Sequence, residues 1–145
     1  MEKKIHLQQG ALDVAAAFAF LQTPKAGGVA LFVGTTRQWT GDRETVRLEY
    51  DCYDAMALRE LDMLAEEAGR RWPVERLSVL HRLGVVPPAE ASVIVGVATP
   101  HRADAFEACR FLIDTLKRQV PIWKREVYAD GRTEWIDGTS PPAIR

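Results

Sequence analysis

Residues 99–126, TPHRADAFEACRFLIDTLKRQVPIWKRE, constrain the fold more than any other stretch of the chain. Ala105, Phe106, Cys109, Leu112, Ile113 and Leu116 recur at the spacing of one helical face, so this segment must lay an apolar stripe on a core. Thr99 reads as the N-cap and Pro100 as the first helical residue. Pro121 stops the helix, and WKREVY (123–128) then alternates as a strand. Cations flank the stripe on both sides. His101 and Arg102 open the helix, where backbone N–H groups already favour an anion. Lys117 and Arg118 close it, where the dipole favours positive charge. Lys124 and Arg125 follow the proline break. This is more positive charge around one helix than solubility needs, and it points to an anion site.

The rest of the chain reads as scaffold. Residues 4–8 alternate weakly and predict a short first strand. Residues 11–21 predict a short, mostly buried helix, with Asp13 in its first turn. Residues 28–36 (GVALFVGTT) are almost continuously apolar and predict a central strand. The polar stretch 37–43, with Trp39, predicts a loop. Residues 45–53 alternate, placing Val46, Leu48, Tyr50 and Cys52 on one face. They predict a half-exposed strand, antiparallel to the previous one if the loop is a hairpin. Asp54 reads as the cap of a helix whose face carries Ala57, Leu61, Leu64, Ala65, Ala68 and Trp72. Strands follow at 77–83 and 91–98, with Gly84 and Pro87-Pro88 as the turn between them. A last short strand is expected at 134–136. The order β-α-β-β-α-β-β-α-β-β predicts an α+β fold with a mixed, mainly antiparallel sheet and helices packed on it. Its 145 residues predict a single domain over 1–145, with a loose C-terminal tail from about 138.

Composition excludes several classes. A net charge of −1 argues against binding nucleic acid through bulk charge, while leaving room for a local basic pocket. The two cysteines, Cys52 and Cys109, form no CxxC pair and read as small buried hydrophobes. Neither a signal peptide nor an apolar run of membrane-spanning length is visible, so the expectation is a cytoplasmic protein without a membrane partner. No metal-loop, P-loop, GxGxxG, GxSxG or HExxH pattern occurs, so no metal site and no cofactor are expected.

Taken singly, each cation is more often a solvated surface residue than a ligand. As a set, Arg37, His101, Arg102, Lys117, Lys124 and Arg125 lie at strand ends and helix ends, as a phosphate-bearing substrate would require. Either lysine could also act as a nucleophile or an acid–base group if its amine were perturbed. His81, inside a strand, is more often a packed residue than a ligand.

Three segments carry a resemblance to a known family: FVGTTR (32–37), the strand with Glu49-Tyr50 leading to RRWPVERLSVLHRLG (70–84), and residues 91–126. Together they resemble the catalytic (large) subunit of molybdopterin synthase over roughly residues 28–137. The resemblance implies an α/β hammerhead-like fold and a homodimer. It implies a partner, a small ubiquitin-like sulfur carrier whose C-terminal Gly-Gly enters the pocket as a thiocarboxylate, giving a heterotetramer. The implied reaction is transfer of two sulfurs to cyclic pyranopterin monophosphate, forming the dithiolene of molybdopterin, with no metal at this step. Lys117 and Lys124 match the family's active-site lysines. Arg37, His101 and Arg102 match its substrate-anion residues. Thr35, Thr36, Arg125 and Glu126 fall in its pocket segments. Two other classes compete: a module binding nucleotide or RNA through the same cations and an exposed Trp, and a structural partner whose basic groove holds an acidic tail.

Overall fold

The computed structural model describes residues 1–136, so the tail expected from about 138 lies outside the described residues. In chain order the elements are β1 (Glu2–Gln9), α1 (Val14–Leu21), β2 (Gly28–Thr35), β3 (Trp39–Thr40), β4 (Arg43–Cys52), α2 (Asp54–Arg71), β5 (Arg76–Val86), β6 (Ala91–Thr99), α3 (Arg102–Gln119), β7 (Ile122–Tyr128) and β8 (Thr133–Trp135). This is the expected order with one addition. The segment read as a loop contains β3, which pairs back on β4. The fold is α+β and the sheet is mixed, mainly antiparallel, with strands in the order β2-β6-β5-β4-β7-β8. β1 lies parallel to β5 along the whole of its length.

The expected pairing of β2 with β4 does not form. β2 pairs with β6 and makes the outer edge of the sheet, and the hairpin is β3–β4. The reason is face chemistry. β2 and β6 are apolar on both faces and belong between helices, whereas β4 carries Arg47, Glu49 and Asp51 on one face.

Alternation along the strands divides the core into two layers. Leu77, Val79 and Leu83 of β5 and Val93, Val95 and Val97 of β6 pack with α2 and α3. Leu80 and Ile94, on the opposite face, pack with Ala17 of α1, and Leu31 and Val33 of β2 join them. Fully buried side chains such as Leu61 and Leu112 contribute about 1.5–3 kcal/mol each by leaving water.

Several local expectations shift. α1 is shorter and more exposed than expected: Asp13 caps it by accepting from the Ala16 N–H at 3.0 Å, and among its residues only Ala17 and Leu21 are buried. Two turns over Leu80 and Ile94 bury a single stripe. Asp54 is the first residue of α2 rather than its cap; its carboxylate takes the Cys52 thiol at 3.3 Å instead. Thr99 is the buried end of β6 and donates its hydroxyl to the His101 carbonyl at 2.6 Å, so the cap position falls to His101. Phe106 leaves the buried stripe and stands 68% exposed, while Ala108 takes its place in the core.

Gly84 is not in a turn between strands. It lies within β5, where that strand passes from β1, its partner up to Leu83, to β4, its partner at Gly84–Val86. Its φ of +79° is left-handed, and a Cβ there would meet the Gln9 amide oxygen at 2.5 Å. We predict that Gly84→Ala lowers stability by about 1–2 kcal/mol, read from the urea midpoint. An unchanged midpoint would mean that the handover does not depend on this backbone conformation.

Candidate functional site

The site forms where the C-terminal end of α3 meets β7, β4 and the end of β2. α3 runs beside β2 in the same direction. Its start lies on Gly28, whose added Cβ would sit 3.0 Å from the Arg102 Cα, and its end shares a cavity with Gly34 and Thr35. Pro121 then lets the chain turn back as β7. Alternation sends Lys124, Glu126 and Tyr128 to one face of β7 and Arg125 to the other.

Two cavities adjoin here. The one on the β2 side, about 280 Å³, is lined by Thr35, Arg37, Thr40, Tyr50, Ser92, Lys117, Lys124 and Glu126, among others. The one on the α3 side, about 330 Å³, is lined by His81, Ile113, Leu116, Arg118, Val120 and Ile122. Tyr50, Ser92, Val93, Lys117 and Lys124 belong to both, so the two lysines stand at the junction. The amines reach it from different elements, α3 and β7. Thr35, Arg37, Lys117, Lys124 and Glu126 are therefore brought together as the sequence implies.

Four sequence-predicted residues are not. His101 and Arg102 are exposed at the start of α3, about 22 Å from Lys117 along a helix rising 1.5 Å per residue. Thr36 is buried, with its hydroxyl on the Val86 carbonyl at 3.4 Å, and lines neither cavity. Arg125, on the other face of β7, binds the Glu49 carboxylate and lines a separate surface cavity with Trp135. Arg47 and then Arg125 hold the Glu49 carboxyl below its usual range by hydrogen bonding.

Tyr50, Ser92, Thr40 and His81 were not assigned to the site from sequence. Tyr50 and His81 pack edge to face at 5.0 Å. Burial raises the Tyr50 phenol, partly offset by a hydrogen bond with Ser92. The alternation of β4, β5 and β6 shows which face each occupies, but only strand pairing brings them under α3.

Glu126 is the buried anion of the site. One of its oxygens accepts from the Thr40 and Thr45 hydroxyls, and the other from Tyr128 at 3.1 Å. Burial pushes its carboxyl up. The hydrogen bonds from Thr40, Thr45 and Tyr128 and the Lys124 charge outweigh that, so the net shift is downward. Among the described residues no three His, Cys, Asp or Glu side chains gather as a metal-binding group.

Comparison with known proteins places this geometry in a family. A family model described as MoaE protein matches residues 7–119. The molybdopterin synthase catalytic subunit 1 of Aedes aegypti is 48% identical over 112 residues, covering 75% of this chain and 72% of that protein. The molybdopterin synthase catalytic subunit of Oryza sativa subsp. indica is 46% identical over 136 residues, covering 90% of this chain and 70% of that protein. The crystal structure of molybdopterin synthase from Staphylococcus aureus superposes with a TM-score of 0.84 at 32% identity, over 89% of this chain and 93% of that one. A complex of subunits 1 and 2 of molybdopterin-converting factor from Helicobacter pylori contains a chain matching with a TM-score of 0.77 at 25% identity, over 95% and 93% of the two chains.

The Glu126 network yields a pH prediction. A carboxyl whose folded pKa is lowered adds stability above its unfolded pKa and loses it as pH falls through the folded one. Glu126→Gln is expected to cost about 1–3 kcal/mol at pH 7, from the loss of charge-assisted hydrogen bonds. The gap from the unsubstituted protein should narrow as pH drops below the carboxylate range. Urea midpoints measured across pH check this; a gap independent of pH would contradict it.

Proposed function

Because this chain belongs to the MoaE protein family, we propose that it is the catalytic subunit of a molybdopterin synthase. It is a sulfurtransferase: it takes sulfur from a small ubiquitin-like carrier with a C-terminal Gly-Gly thiocarboxylate. It places two sulfurs on cyclic pyranopterin monophosphate to make the molybdopterin dithiolene. The observation that carries this reading is the pair Lys117 and Lys124, drawn from different elements to the junction of two cavities. A reaction between a bound small molecule and a protein tail needs such a place, where both reach the same groups.

The roles follow from chemistry. Arg37 and Thr35 line the β2-side cavity, where a guanidinium can fork onto phosphate oxygens. Lys117 and Lys124 present compact positive charge to the thiocarboxylate and to negative charge developing on the pterin. Glu126 sets a fixed, buried negative charge within electrostatic reach of Lys124. Among the described residues no helix is long and apolar enough to cross a membrane, and no disulfide joins Cys52 and Cys109. We take the site of action to be the cytoplasm, where thiols stay reduced.

His101 and Arg102 enter this scheme through a homodimer. β2 is an outer-edge strand, and beside it Val29, Phe32 and Phe106 are exposed around a groove of about 400 Å³. The His101-Arg102 end and the Thr35, Arg37 and Lys117 end lie at opposite limits of this face. A second copy docked here about a twofold axis perpendicular to β2 runs antiparallel to the first. The His101-Arg102 end of each copy then meets the lysine end of the other.

Two measurements test the proposal. In a reaction reconstituted with thiocarboxylated carrier and cyclic pyranopterin monophosphate, Lys117→Ala and Lys124→Ala should each lower dithiolene formation at least about 100-fold, as loss of a charge-stabilising group does. Near-normal turnover in both variants, followed by mass spectrometry, would sink the assignment. Separately, a Lys117→Ala chain and a His101→Ala/Arg102→Ala chain should be inactive alone. Mixed and allowed to exchange, they should recover about a quarter of the wild-type rate, since half the dimers are mixed and each holds one intact site. No recovery would show that each chain builds its site from its own residues.

A further inference from the structure

The α3-side cavity holds a polar group for which the anion chemistry has no use. His81 lies on the face of β5 that packs toward α2 and α3, and it is 4% exposed. Its Nδ1 stands 2.8 Å from the Arg82 carbonyl oxygen. A carbonyl oxygen only accepts, so the hydrogen of the neutral ring is on Nδ1 and the lone pair is on Nε2. Tyr50 of β4 fixes the ring from its edge. The cations lining this cavity are Lys117 and Arg118 of α3 and Lys124 of β7, and no carboxylate lines it. An imidazolium would have no counter-charge here. Burial, reinforced by the two lysines, pushes the ring down to about 4 and keeps it an acceptor at neutral pH. Among the described residues no donor engages Nε2.

The two cavities differ in what they can hold. The β2-side one carries Arg37 and suits the phosphate. The α3-side one has aliphatic walls, from Ile113, Leu116, Val120 and Ile122, with Arg118 also on its lining, this acceptor inside and the lysines at its junction with the other cavity. Aliphatic walls around a fixed acceptor fit an extended backbone without side chains, which is narrow and carries amide N–H donors.

We propose that His81 Nε2 accepts a hydrogen bond from a glycine amide N–H of the carrier's C-terminal tail, seating the tail in the α3-side cavity with its thiocarboxylate at Lys117 and Lys124. This rests on the sulfur-transfer reading above. It adds a binding residue for the carrier and assigns each substrate its own cavity.

The test is a split of KM values in the reconstituted reaction. His81→Met removes the acceptor at similar volume, and His81→Gln can supply one from its side-chain carbonyl. H81M should raise KM for the thiocarboxylated carrier about tenfold, the loss of one buried hydrogen bond, and leave KM for the pterin unchanged. H81Q should stay within about threefold of wild type. An unchanged carrier KM in H81M, a rise in pterin KM instead, or equal impairment in H81Q overturns the proposal. A second measurement needs no variant. In wild-type protein with 15N-labelled histidine, the His81 Nε2 resonance should move on adding carrier with an ordinary carboxylate terminus, and hold still on adding pterin alone. No movement with carrier, or movement with pterin alone, also overturns it. Wild-type protein that forms no dithiolene would refute the function itself, which the NMR result does not touch.

Discussion

The packing of one face of α3 on β6 fixes everything that matters at this site. Ala108, Leu112 and Leu116 share a buried cluster with Val93, Val95 and Val97. Once that stripe is buried, the helix cannot rotate, and Lys117 emerges, exposed, at the edge of the cluster. Pro121 then ends the helix and turns the chain into β7, whose pairing with β4 aligns Lys124 with Tyr50. Two amines are thereby held at one junction by hydrophobic burial and sheet register. Their placement needs no ion pair between α3 and β7.

Charge around this junction is arranged asymmetrically. The negative group, Glu126, is buried and saturated by hydroxyl donors, so it offers field without competing for the ligand's place. Of the neutral groups, Tyr50 and Ser92 line both cavities and His81 the α3-side one. Arg37 adds a cation on the β2 side, beyond the end of that strand, and Arg118 one on the α3 side. A phosphate and a thiocarboxylate are both anions, and drawing them to one point requires excess positive charge that solvent does not fully screen. The partly enclosed junction supplies that condition.

Much of this was legible in the sequence, and what was not has specific causes. The α3 stripe, the order of elements and the convergence of Lys117, Lys124 and Arg37 follow from periodicity and from the resemblance. Arg125 lies on the face opposite Lys124, and the alternation of WKREVY already carried that information. Tyr50, Ser92 and His81 were hidden because strand pairing, not local pattern, sets who stands beside whom. Phe106 matched the helical stripe yet faces outward, because a stripe wider than the available sheet leaves its margin uncovered. His101 and Arg102 looked like neighbours of the lysines only because a helix is short in sequence terms; in space its ends are far apart. The same separation is what points to a second copy. The Asp54 and Thr99 caps failed for a simpler reason: each side chain had a nearer partner, Cys52 for one and the His101 carbonyl for the other.

We propose that two contiguous cavities receive two substrates at one lysine pair. Calorimetric titration of cyclic pyranopterin monophosphate, with and without saturating carrier bearing an ordinary carboxylate terminus, tests it most directly. The account predicts that both bind together, with the pterin affinity changed by no more than about tenfold, the scale of modest coupling between neighbouring sites. Mutual exclusion, with carrier abolishing pterin binding, would mean that a single pocket serves both and would contradict it.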